Sequence, residues 1–127
     1  EGVCDWNGLR FEVHRSTGHC TEAHGLHCYP ATCCLALDYV QAHPLVIRSR
    51  QPGDRIAPLG LTGSKKLQDL FVDEKIPEAL RATVPVIAYG DVVVWIPGYR
   101  IAAEAAVASA TAASVQIRVR AIHPKIS

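Results

Sequence analysis

The densest set of chemically capable side chains lies between residues 19 and 34: His19, Cys20, His24, His27, Cys28, Cys33 and Cys34. Zinc takes four such ligands in a tetrahedron, usually as two close pairs. Four residues separate Cys28 from Cys33 and two separate His24 from His27, but no second clean pair completes a zinc pattern. The expectation is an irregular Cys/His loop over residues 14–35 with no metal assigned. With Cys4, the cysteines number five, an odd count and too sparse for a secreted disulfide framework. They read as reduced thiols of a cytoplasmic protein.

A thiol nucleophile needs a base within reach and a third group to orient it. Six histidines make chance pairings easy, and nothing marks one thiol over another. The sequence has no G-x-x-x-x-G-K-[ST] phosphate loop, no G-x-G-x-x-G turn and no G-x-S-x-G elbow. Asp73-Glu74 read as solvated carboxylates near a helix end. No catalytic residue is expected in this chain.

Binding is the better-supported chemistry. Residues 41–66 carry Arg48, Arg50, Arg55, Lys65 and Lys66 against one acid, Asp54, although the whole chain has a net charge of only +1. Positive charge this localised points to a defined anionic partner, most commonly a phosphate backbone. Within it, Gln51-Pro52-Gly53-Asp54-Arg55 reads as a turn. Gly53 is free to take positive φ, Asp54 to bond nearby amides, and Arg55 to project outward. Guanidinium forks such as Arg50 and Arg55 suit bidentate phosphate contact. Arg100, Arg118, Arg120 and Lys125 form a second basic block, free to join the first if the fold brings them together.

The elements that must position these groups are mainly strands. Leu9–Val13 alternates apolar and polar, and so does Val115–Ala121, which places Arg118 and Arg120 on a wet face. Leu45–Arg50 begins apolar and ends in alternating arginines. Val84–Ala88 and Val92–Ile96 are apolar runs joined by Tyr89-Gly90-Asp91, the pattern of a hairpin. One helix is expected, capped by Ser64, with Leu67, Leu70, Phe71 and Glu74 at helical spacing. Lys65 and Lys66 would then sit at its start, where a bound anion would offset the dipole. Pro77 opens a short second helix running to Arg81. The Ala-rich stretch 102–114 is left as helix or loop. The length of 127 residues fits one domain, residues 1–127, folded as α+β with small, mostly antiparallel sheets and one or two packed helices. No stretch is long and apolar enough for a membrane span.

The run Val46-Ile47-Arg48-Ser49-Arg50-Gln51-Pro52-Gly53-Asp54-Arg55-Ile56, followed by Pro58-Leu59-Gly60, resembles the C-terminal domain of the tRNA(Ile)-lysidine synthetase family. Lys65-Lys66-Leu67-Gln68-Asp69-Leu70-Phe71 through Pro77, Pro85-Val86-Ile87 and Val94–Ile101 continue the resemblance in the same order. It covers residues 36 to 100. Residues 14–34 and 102–114 depart from the family's pattern.

The resemblance implies a cytoplasmic fragment of an ATP-dependent ligase that attaches lysine to the first anticodon cytidine of a tRNA(Ile) with a CAU anticodon. ATP and magnesium would act in an N-terminal adenylating domain, leaving this domain without cofactor or metal. It also implies a fold similar to one shared with the phenylalanyl-tRNA synthetase β-subunit, and contact with the tRNA acceptor arm. The basic residues at matching positions are Arg48, Arg50, Arg55, Lys65, Lys66, Lys75, Arg81 and Arg100. The alternative is a docking module without RNA contact, forming a homodimer through an apolar face at Val92–Ile96.

Overall fold

In a computed structural model of the protein, the described residues are 2–18, 31–60, 62–109 and 112–122. Two sheets and a few short helices organise them. In the first sheet, strands β1 (Gly2–Trp6), β2 (Leu9–Thr17), β10 (Ala113–Ala121) and β3 (Ala31–Ala36) lie in the order β1-β2-β10-β3, all antiparallel. Asn7-Gly8 closes the first hairpin. Both residues have positive φ (49° and 80°), as a two-residue turn matched to strand twist requires. Strand alternation then sorts the side chains. Leu9, Phe11, Val115, Ile117 and Val119 are buried, while Arg118 is exposed between Glu12 and Thr32 on the flanking strands.

The second sheet has the order β4 (Val46–Arg48), β7 (Val86–Tyr89), β8 (Val92–Ile96), β5 (Arg55–Ile56) and β6 (Lys65–Lys66), with β9 (Arg100–Ile101) also pairing β8. Its pairings are antiparallel except β5 with β8, which meet in parallel at Arg55 and Val92. Strands β7 and β8 are covered on both faces, which is why they read as continuous apolar runs. Ile87, Val94 and Trp95 pack with Leu9, Phe11, Leu35 and Val119 of the first sheet. Val86, Ala88, Val93 and Ile96 pack with Leu67, Leu70 and Phe71 of helix α2 (Leu67–Asp73) and with Ile56 and Tyr99. Ile87 pairs with Trp95 and Ala88 with Val93, so Val94 is the extra residue of a bulge. That irregularity lets neighbours Val94 and Trp95 share one core. Each large side chain buried this way stabilises the fold by about 1.5–3 kcal/mol.

Helix α1 (Leu37–Ala42) and the 3₁₀ helices Glu78–Thr83 and Ala103–Ala105 complete the described elements, and no helix is long and apolar enough to cross a membrane. The mixed α+β class with small, mainly antiparallel sheets is as the sequence reads.

Several details differ. Ser64 does not cap α2: Lys66 occupies that position in extended conformation, and Lys65-Lys66 form β6 opposite Arg55-Ile56. Pairing with β5 outweighs the capping preference of Ser64, so Lys65 and Lys66 enter the start of α2 from a strand, with Lys66 at the N-cap. Val93 to Ile96 are fully buried and offer no docking face, because two layers cover them. The stretch after Ala102, read as helix or loop, resolves to loop: a single 3₁₀ turn at Ala103–Ala105 and then a bridge from Ala106 to Leu35, since it lacks the apolar stripe a longer helix needs. Cys34 is disulfide-bonded rather than reduced. An odd cysteine count excludes complete pairing but not a single bridge. Among the Cys/His loop residues, His19, Cys20, His24, His27 and Cys28 lie outside the described residues. Among the described residues, no three His, Cys, Asp or Glu side chains converge as a metal site.

Candidate nucleic-acid interface

The turn after β4 is the centre of the basic region. The Asp54 amide donates to the Gln51 carbonyl at 3.1 Å, with Pro52 and Gly53 between them and Gly53 at φ +88°. Proline followed by a positive-φ glycine is the signature of a type II turn. The Asp54 carboxylate sits beneath it, only 4% exposed. It accepts the Gln51 amide at 2.7 Å and a two-pronged guanidinium from Arg48 at 2.8 and 2.9 Å. Arg48 also donates to the Ser49 and Gly90 carbonyls. Its donors are therefore directed inward, and it works as the clamp that fixes the turn.

The other basic residues separate into two groups. Lys65 is paired with Asp73, and Arg100 with Glu74 at 2.8 Å. Arg50, Arg55, Lys66, Lys75 and Arg81 have no carboxylate partner among the described residues. Arg50 places its guanidinium 5.8 Å above the Phe71 ring, an arrangement that holds the side chain while leaving its donors open. Arg81 spends only Nε, on the Ile76 carbonyl at 3.0 Å, and Arg55 only Nε, on the Ser64 hydroxyl at 3.1 Å.

Four of these five line one continuous strip. Arg50 and Arg81 share a recess of about 440 Å³ with Gln51, Pro52, Gln68, Glu78 and Ala82. Arg50 and Lys66 share a smaller recess of about 50 Å³ with the turn Gln51–Asp54 and Gln68. Lys66 lies directly opposite Arg55 across the β5–β6 pair, so both project from the same face. Like charges in that position cost stability unless an anion relieves them. Beyond Arg55 the strip ends against Asp91 and Glu104. Glu104 accepts the Tyr39 hydroxyl at 3.2 Å; burial and then that carboxylate push the Tyr39 phenol up to about 12, which keeps it a neutral donor. Lys75, held at φ 59° just after α2, lines none of these recesses. The described members of the second basic block do not join the strip: Arg100 turns to Glu74, and Arg118 and Arg120 belong to the other sheet, Arg120 beside Glu12 at 3.7 Å; Lys125 lies outside the described residues.

Charge patterning brought Arg50, Arg55 and Lys66 into consideration, and the family resemblance added Arg81. Gln51, Gln68 and Glu78, which line the same recess, escaped it because sequence does not show which uncharged or acidic neighbours face a basic strip.

Residues 45–119 match the family described as the TilS substrate C-terminal domain. The tRNA(Ile)-lysidine synthase of Geobacter sulfurreducens is 40% identical over 77 residues, 61% of this chain and 16% of that protein. The enzyme of the same name from Symbiobacterium thermophilum is 54% identical over 55 residues, 43% of this chain and 11% of that protein. The chain thus spans a small fraction of these relatives' length. A solved structure described as the TILS C-terminal domain superposes with a TM-score of 0.73 at 25% identity, covering 93% of this chain and 88% of that one. With the family's matched segment running from β4 through most of β10, this chain belongs to the TilS substrate C-terminal domain family.

Proposed function

We propose that this domain binds tRNA on behalf of a ligase that attaches lysine to the anticodon cytidine of tRNA(Ile), gripping the acceptor arm along the strip Arg81–Arg50–Lys66–Arg55. The observation that carries the reading is the sorting of cations. Arg48, Lys65 and Arg100 are neutralised by carboxylates, whereas the four lining the strip are not. Open guanidinium and ammonium donors on one face suit phosphate oxygens, and duplex RNA is bound chiefly through its backbone and shape. The relatives' name, tRNA(Ile)-lysidine synthase, supplies the substrate. Because the chain spans 16% or less of those two proteins, lysine attachment, with its ATP and Mg²⁺, belongs to the remainder of the enzyme.

The two adjacent lysines provide the test. Lys66→Ala should weaken tRNA(Ile) binding at low salt by about 1–2 kcal/mol, the loss of one charge-assisted phosphate contact. Lys65→Ala, whose ammonium already faces Asp73, should change affinity by less than about 0.5 kcal/mol. Filter binding with both variants decides the matter; equal effects, or none from Lys66, would contradict the assignment.

A further inference from the structure

The recess between Arg50 and Arg81 holds more than a phosphate backbone requires. At about 440 Å³ this half-open recess matches the size of clefts that take a small ligand, whereas a backbone passing over a surface needs no such hollow. Its lining is also mixed. Glu78 and Arg81 lie three residues apart in the 3₁₀ helix Glu78–Thr83, where such side chains eclipse, so both face the recess. Glu78 makes no ion pair or hydrogen bond among the described residues. A lone carboxylate repels phosphate, but it is a pure acceptor and fits an exocyclic amino group, as carboxylates accept from cytosine N4. The carboxamides of Gln51 and Gln68 add donors and acceptors that no group among the described residues engages. Arg50 lies over the Phe71 ring and also lines the recess, and bases stack on guanidinium planes as they do on aromatic rings.

We propose that this recess holds one unpaired nucleotide of the bound RNA, its amino-bearing base against Glu78 and its phosphate between Arg50 and Arg81. The proposal rests on the tRNA-binding reading above and adds base selection to it. Glu78 selects for the amino group, Arg50 supplies the stacking plane, and the glutamines complete the edge contacts.

The probes are three RNA hairpins with one common stem: blunt, with a single unpaired 3′ cytidine, and with a single unpaired 3′ uridine. Affinities are measured for the 127-residue chain and its Glu78→Ala variant at one salt concentration. The expected result is that the cytidine hairpin binds about tenfold tighter than the uridine hairpin, one amino-group contact's worth of discrimination, and tighter still than the blunt hairpin. Glu78→Ala should bring the cytidine-to-uridine ratio to about one while the variant still binds the blunt hairpin. Equal affinity for all three hairpins, or a cytidine preference that survives in Glu78→Ala, overturns the nucleotide site. Salt-sensitive binding of all three alike overturns this proposal while leaving the tRNA reading standing. Failure to bind any hairpin overturns both.

Discussion

Arg48 and Arg50 stand two residues apart and serve different purposes, and the difference lies in one carboxylate. Asp54 is nearly inaccessible to water and receives both prongs of Arg48. Removing one member of a buried ion pair strands the other, at a cost of about 3–5 kcal/mol. Arg48→Ala should fall at the lower end, about 3 kcal/mol, because Asp54 keeps the Gln51 amide. Arg50→Ala gives up only a partly exposed cation–π contact and should cost less than about 1 kcal/mol. Urea denaturation of the two variants compares them directly. Equal destabilisation would mean that Arg48 is not the clamp described here. Type and charge cannot separate these arginines in the sequence. The separation comes from which one lies within reach of a buried acid, and that depends on a folded turn.

At the level of elements, the turn Gln51–Asp54 connects the clamp to the strip. Gly53 sits at φ +88° with open space where a side chain would go, so an added Cβ meets no neighbour and the cost is purely conformational. Gly53→Ala should therefore destabilise by about 1–2 kcal/mol, the penalty of an L-residue in the left-handed region. Thermal melts check this, and a neutral result would mean that the turn relaxes freely. The Pro-Gly pair made this turn legible in the sequence, as did the alternation of β2 and β10 and the twin apolar runs of β7 and β8. Strand β6 was not legible. Two lysines after Ser64 read as a helix start, because local preference carries no information about β5, which pairs with them from nine residues away or more. Strands β1, β3, β5 and β9 were likewise missed, and the irregular loop expected over residues 14–35 is at its described ends strand instead, residues 14–17 in β2 and 31–35 in β3. The Asn7-Gly8 dipeptide signals the first hairpin, but the exposed residues of β1 lack the apolar alternation that marks a strand.

Across the whole molecule, the double-sided burial of β7 and β8 gives the strip a rigid base. Phe71 and Leu67 of α2 pack onto that sheet, and Arg50 and Lys66 lie against the same helix end. Charge blocks in the sequence suggested one shared positive face. The fold instead places Arg118 and Arg120 in the other sheet and leaves a narrower strip. Counterion release makes that arrangement measurable, since each phosphate contact adds about one to the slope of log affinity against log salt. The most direct measurement is this slope for tRNA(Ile), compared among the unaltered chain, the triple variant Arg50→Ala/Lys66→Ala/Arg81→Ala and the control pair Arg118→Ala/Arg120→Ala. The triple variant's slope should be shallower by about three and the control's unchanged. A triple variant with the full slope, or a control pair that flattens it equally, would contradict the placement of RNA on the Arg50–Lys66–Arg81 face.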